Sequence, residues 1–142
     1  MLDKNKILQD FLANYPKLYS WLYFNTIISL PGEISLLTDA DNIVEEYVDG
    51  STLREYVFAV TFSQSYDTGT SDINANAIAE AQKFGEWVEE QNYQEVFPDW
   101  GANISIQEMQ VLTRIPLMTV DTESQTAQYM MQMKINYLEM ED

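Results

Sequence analysis

The 142-residue sequence contains neither cysteine nor histidine. Without cysteine there is no disulfide framework and no thiolate metal site, and a reducing compartment suits the chain. Without histidine, the commonest general base, the commonest metal ligand and the usual pH switch are missing together. Basic residues are also scarce. Seven Lys and Arg stand against 23 Asp and Glu, a formal net charge of −16. Such a chain repels nucleic acid and anionic membranes. The five glycines, Gly32, Gly50, Gly69, Gly85 and Gly101, are too widely separated to form a phosphate-binding loop. No stretch approaches the ~20 apolar residues needed to span a bilayer. The opening MLDKNKILQDF lacks the apolar run of a signal peptide. The expectation is a protein made in the cytoplasm, with no membrane partner.

What is present is enough apolar material for a core. Hydrophobic residues make up 46% of the chain and aromatics 13%, which overrides the disordering tendency of the high charge. The length suits a single domain over residues 1–142. Its organising stretch is 53–66, LREYVFAVTFSQSY. Tyr56, Phe58, Val60 and Phe62 alternate with smaller or polar residues, which predicts a central strand with one core face. Residues 127–138 repeat the pattern: Tyr129, Met131, Met133, Ile135 and Tyr137 point one way, with Gln128, Gln132, Lys134 and Asn136 between them. Met130 breaks the polar face and is the methionine best placed for an interface.

Two helices are predicted. In residues 3–14, Ile7, Leu8, Phe11 and Leu12 recur at helical spacing, and Pro16 follows. In residues 72–92, Ile73, Ala77, Ala81, Phe84 and Val88 form an apolar stripe. Gly85 beside that stripe lowers helix propensity by up to ~1 kcal/mol relative to alanine, so close approach to a sheet is its expected reason. Residues 43–48 pair with 53 onward through the connection Asp49-Gly50-Ser51-Thr52. The cluster Asp39-Ala40-Asp41-Asn42 lacks the later residues of a calcium loop and is read as a turn. Residues 25–30 and 34–38 are strand-prone, 93–103 form a loop anchored by Phe97 and Trp100, and 104–115 return to strand. Residues 116–126 form a connection that is polar after Val120, and the aromatic run 18–24 is either a core anchor or a docking patch. The fold class is α+β: a mixed or antiparallel sheet with one main helix on one face and an N-terminal amphipathic helix.

The sequence contains no motif for catalysis. Adjacent pairs such as Glu45-Glu46 and Glu89-Glu90 diverge in either a strand or a helix, so neither makes an acid/base dyad. We expect no catalytic residue, no metal and no cofactor. The acidity has three readings: solubility, a surface past which DNA slides, or an imitation of DNA that occupies a DNA-binding protein.

The order of elements, with YVFAVTFSQSYD, the alanine-rich INANAIAEAQKFGEWVEEQ and the alternating last strand, resembles the tail terminator proteins of long-tailed bacteriophages, often labelled minor capsid proteins. The resemblance covers roughly 34–138, and the run LYSWLYF has no counterpart in it. It implies a non-enzymatic virion protein at the tail end of the head-tail junction. Such a subunit forms a ring, typically six-fold, and contacts the tail-tube protein and a head-completion protein while DNA passes without specific binding. In such a ring Glu45, Glu46, Asp49, Gln64, Tyr66, Asp67 and Met130 would meet partners or line the pore. An acidic DNA-mimic inhibitor is the alternative.

Overall fold

A computed structural model describes residues 3–15, 22–24, 33–65, 72–113, 117–121 and 126–140. The elements run α1 (Lys4–Leu12), β1 (Leu22–Phe24), β2 (Glu33–Glu46), β3 (Thr52–Ser65), α2 (Asp72–Tyr93), β4 (Ile104–Val111), β5 (Leu117–Asp121) and β6 (Thr126–Glu139). The strands form one sheet in the order β1-β2-β3-β6-β4, with β5 also on β6. Among the described residues only the β1–β2 pairing is parallel. The chain is therefore an α+β protein with a mixed, mainly antiparallel sheet.

The alternation in β3 and β6 does what the sequence predicts. The two strands pair residue for residue from Thr52↔Glu139 to Ser65↔Thr126 without a bulge. Tyr56, Phe58 and Val60 face the same side as Tyr129, Met131, Met133, Ile135 and Tyr137, and all are buried. Both helices close this side. Leu8 and Leu12 of α1 and Ala81, Phe84 and Val88 of α2 complete the core. Aromatic side chains join the helices: Tyr15 meets the Phe84 ring edge-on at 5.1 Å, and Phe11 lies 5.9 Å from Trp87. Asp3 caps α1 by accepting from the amides of Asn5 and Lys6 at 3.1 and 3.2 Å. A methyl group on Gly85 would sit 2.7 Å from Met131 Cε. The close neighbour is thus the tip of a core side chain, not sheet backbone.

Three expectations are corrected. Asp39-Ala40-Asp41-Asn42 is not a turn; β2 runs through it, and 34–38 and 43–46 belong to one strand. Register shifts at Thr38/Ala40 and Ile43/Glu45 absorb the broken alternation, each bulge inserting one residue. The polar connection 116–126 contains β5, whose Leu117 pairs with Met130 and Asp121 with Thr126. The strand after the loop at 93–103 ends at Val111, short of 115. In that loop Trp100 is buried and Phe97 packs on the core. Of the aromatic run 18–24, only Leu22–Phe24 is described, as β1. Pro16 and the strand-prone 25–30 lie outside the described residues.

Candidate interaction surface

The C-terminal half of β2 and the turn after it, residues 41–50, are exposed without exception. β1 pairs only with Ile34, Ser35 and Leu36, so among the described residues no strand covers the outer edge of β2 beyond them. The turn is well built. Tyr47 N–H donates to the Ser51 carbonyl at 2.9 Å, and Gly50 N–H donates to the Tyr47 carbonyl at 3.0 Å. Gly50 has φ 91°. This is a three-residue hairpin loop whose last residue is left-handed, a position suited to glycine. Ser51 and Thr52 therefore flank the loop and do not form part of it. Asp49 fixes the turn by accepting from the Ser51 hydroxyl at 2.6 Å and the Ser51 amide at 3.0 Å. These bonds, the hydroxyl's first, hold its carboxyl below the usual range. The Tyr47 hydroxyl donates to Glu45 Oε2 at 3.1 Å, and that bond raises its pKa.

On this acidic lip, large apolar side chains face water: Ile43 is 49% exposed, Val44 54%, Tyr47 41% and Val48 109%. A shallow groove of about 540 Å³ opens at its base, lined by Tyr47, Val48, Asp49, Ser51, Leu53, Gln107 and Leu138. Leu53 and Leu138 are cross-strand partners. Their positions in the strands place them on the sheet face opposite the helices.

The structure divides the sequence-predicted site residues into two groups. Glu45 and Glu46 form the last rungs of β2 and Asp49 sits in the turn, so these three share the lip. Gln64 pairs with Ala127 near the other end of β3, roughly 40 Å from Thr52 at about 3.4 Å per residue. Met130, 37% exposed, pairs with Thr61 on that distant half. Tyr66 and Asp67 lie outside the described residues. The exposed apolar residues of the lip escaped the sequence reading. Their signal is present in the adjacent pairs Ile43-Val44 and Tyr47-Val48, since neighbouring apolar residues in a strand cannot both enter one core.

A second polar cluster lies on the helix side of the sheet. Lys4 Nζ donates to the Tyr137 hydroxyl at 2.7 Å and to Asp41 Oδ2 at 3.3 Å, while the Tyr137 hydroxyl donates to Asp41 Oδ1 at 2.6 Å. Lys4 also lies 4.5 Å from the Tyr137 ring centroid. Trp100 Nε1 donates to the Lys4 carbonyl at 3.2 Å. Thr38 Oγ1 bridges Asn5 and the Tyr56 hydroxyl, both at 2.8 Å. The adjoining open cleft of about 1020 Å³ also holds Arg54 and Glu139, paired at 2.9 Å. Burial, chiefly, raises both phenols, Tyr56 to about 12 and Tyr137 well above its ordinary value, where the Asp41 bond adds to the effect. Both stay protonated at neutral pH. With its charges paired internally, the cluster acts as a clamp that ties α1 to the sheet.

Among the described residues no group of three or more acidic side chains is placed to hold a metal ion, and no helix is long and apolar enough to cross a membrane. No protein-family model matches the chain, and no curated protein matches it.

Proposed function

We propose that this chain is a non-enzymatic structural subunit of the phage tail-terminator type, forming a ring that ends the tail tube and joins it to the head. The observation that carries the reading is the lip at residues 41–50, where four large apolar side chains stand in water beside Glu45, Glu46 and Asp49. An exposed apolar patch of this kind favours a protein that works by assembly. The net charge of −16 supports the second half of the reading, because an acidic ring lets DNA pass without holding it. Met130 and Leu112 supply further exposed apolar surface. Leu112 donates its amide to Gln132, two residues from Met130, and this part of the sheet is the proposed contact between neighbouring copies. The protein needs neither metal nor cofactor and ends up in the virion after synthesis in the host cytoplasm.

The test is particle mass by light scattering and native mass spectrometry, alone and with purified tail-tube protein, followed by electron microscopy. Closed rings, or tubes blocked at one end, are expected. A strict monomer that ignores tube protein and instead binds and inhibits a nuclease would replace this reading with the DNA-mimic one.

A further inference from the structure

The groove at the base of the lip combines an apolar floor with a rim of one sign. Its floor is Leu53 and Leu138, Tyr47 and Val48 stand at its side, and among the described residues Asp49 is the only charged one that lines it. Glu45, opposite Leu53 in the sheet, stands beside it, held by the Tyr47 hydroxyl, whereas Glu46, opposite Thr52, is on the other face. The nearest cations in sequence are already engaged. Arg54 is paired with Glu139 at 2.9 Å and Lys134 with Glu55 at 2.9 Å. Lys4 and Lys6 also pair within the chain, with Asp41 and Asp10. A second copy, at −16 with 23 acids to seven bases, is a poor electrostatic match for this rim.

We infer that the groove receives an apolar side chain flanked by lysine or arginine on a different protein. Apolar burial supplies the anchor. The basic flanks meet Glu45 and Asp49, speeding encounter and rejecting acidic partners, including other copies of the chain. Strand addition is not the mode of binding: two bulges and a run of acids blunt the adjacent edge of β2. The turn is preorganised by its own hydrogen bonds, so little ordering opposes binding.

The inference does not depend on the ring and is tested apart from it. The full chain, isotope-labelled for nuclear magnetic resonance, is titrated with a short peptide carrying one phenylalanine flanked on both sides by lysines. A second peptide has glutamates in place of the lysines. Saturable shifts are expected at Val48, Asp49, Ser51, Leu53 and Leu138 with the basic peptide alone, and they should weaken as salt is raised. Val48→Ser, at an exposed turn position beside the groove, should weaken binding about tenfold, as should Glu45→Gln, while particle mass stays unchanged. Absence of saturable shifts at the groove, or equal binding of both peptides, would overturn the inference. So would loss of self-association in Val48→Ser without a change in peptide binding, since the groove would then be a contact between copies. Failure of the ring reading appears separately, as a monomeric mass in the unmodified chain.

Discussion

Gly50 and the two buried phenols are where single residues have measurable consequences. At φ 91°, an alanine in place of Gly50 puts its Cβ against the following carbonyl, a strain of about 1–2 kcal/mol. Gly50→Ala is expected to lower stability by about that amount in urea titration, with Gly50→Asn intermediate because asparagine tolerates left-handed backbone. An unchanged midpoint would show that the lip yields freely. The tyrosines set an alkaline limit. Tyr56 is raised from 10.0 to about 12, and Tyr137 is raised further. A raised folded-state value favours the protonated form, so the associated stability is fully present below pH 10.0 and is lost as pH climbs through about 12. Stability should be insensitive to these two groups up to about pH 10 and then fall steeply. Their phenolate absorbance should appear together with unfolding, recorded by circular dichroism. Ionisation of every tyrosine near the ordinary value in a chain that keeps its fold would contradict the burial described for Tyr56 and Tyr137.

At the scale of elements, α2 decides stability. Phe84 is 0% exposed and touches Tyr15 of the segment after α1. Phe84→Asp buries a carboxylate at several kcal/mol, comparable to the whole stability of a domain this size, and loss of the cooperative melting transition is expected. Gly85 behaves differently. The atom an alanine would meet is Met131 Cε, the end of a flexible side chain, and both Val111 methyls stand at ordinary contact distance. The gain in helix propensity of about 1 kcal/mol therefore roughly offsets the displacement of Met131. Gly85→Ala should stay within about 1 kcal/mol of the natural chain, whereas Gly85→Leu should lose about 1–3 kcal/mol through overpacking. A large loss in Gly85→Ala, measured by the same denaturation, would mean that Met131 is locked.

These elements also mark what was legible in the sequence. β3, β6 and α2 each carry a long periodic pattern with one buried side, and such patterns can be read directly. The second half of β2 cannot be read that way, because residues 41–46 are exposed at every position and a strand with no buried face has no reason to alternate. Its aspartates resemble a turn only in composition, and its two bulges shift the phase. β5 has five residues, too few for a period to register. Of the candidate surface, the acids Glu45, Glu46 and Asp49 lie close together around one turn, which their spacing in the sequence already implies. Gln64 and Met130 sit at the other end of the same sheet, because sequence order does not reveal which end of a fourteen-residue strand a neighbour occupies.

For the molecule as a whole, charge opposes association. Copies at −16 each repel one another, and salt shortens the Debye length from ~10 Å at 0.1 M to ~3 Å at 1 M. Oligomer mass should therefore rise with both salt and protein concentration in light scattering; a fall with salt would place attractive ion pairs at the contact between copies. The outer edge of β4, which no strand covers among the described residues, is an unsuitable contact. Asn92 Oδ1 already accepts the Met109 amide at 2.8 Å, and Gln107 Nε2 donates to the Ser105 carbonyl at 3.1 Å, so the edge offers fewer groups for another strand to join. The unbroken ladder between β3 and β6 has a mechanical consequence that bears on the proposed placement at a joint. A pull on the turn directed along the strands loads that ladder in shear, with its rungs sharing the force instead of opening one by one. Sliding by a single residue would turn Tyr129, Met131, Met133, Ile135 and Tyr137 out of the core, so creep is blocked. The sheet behaves as a stiff tie-rod that holds its length until it fails all at once.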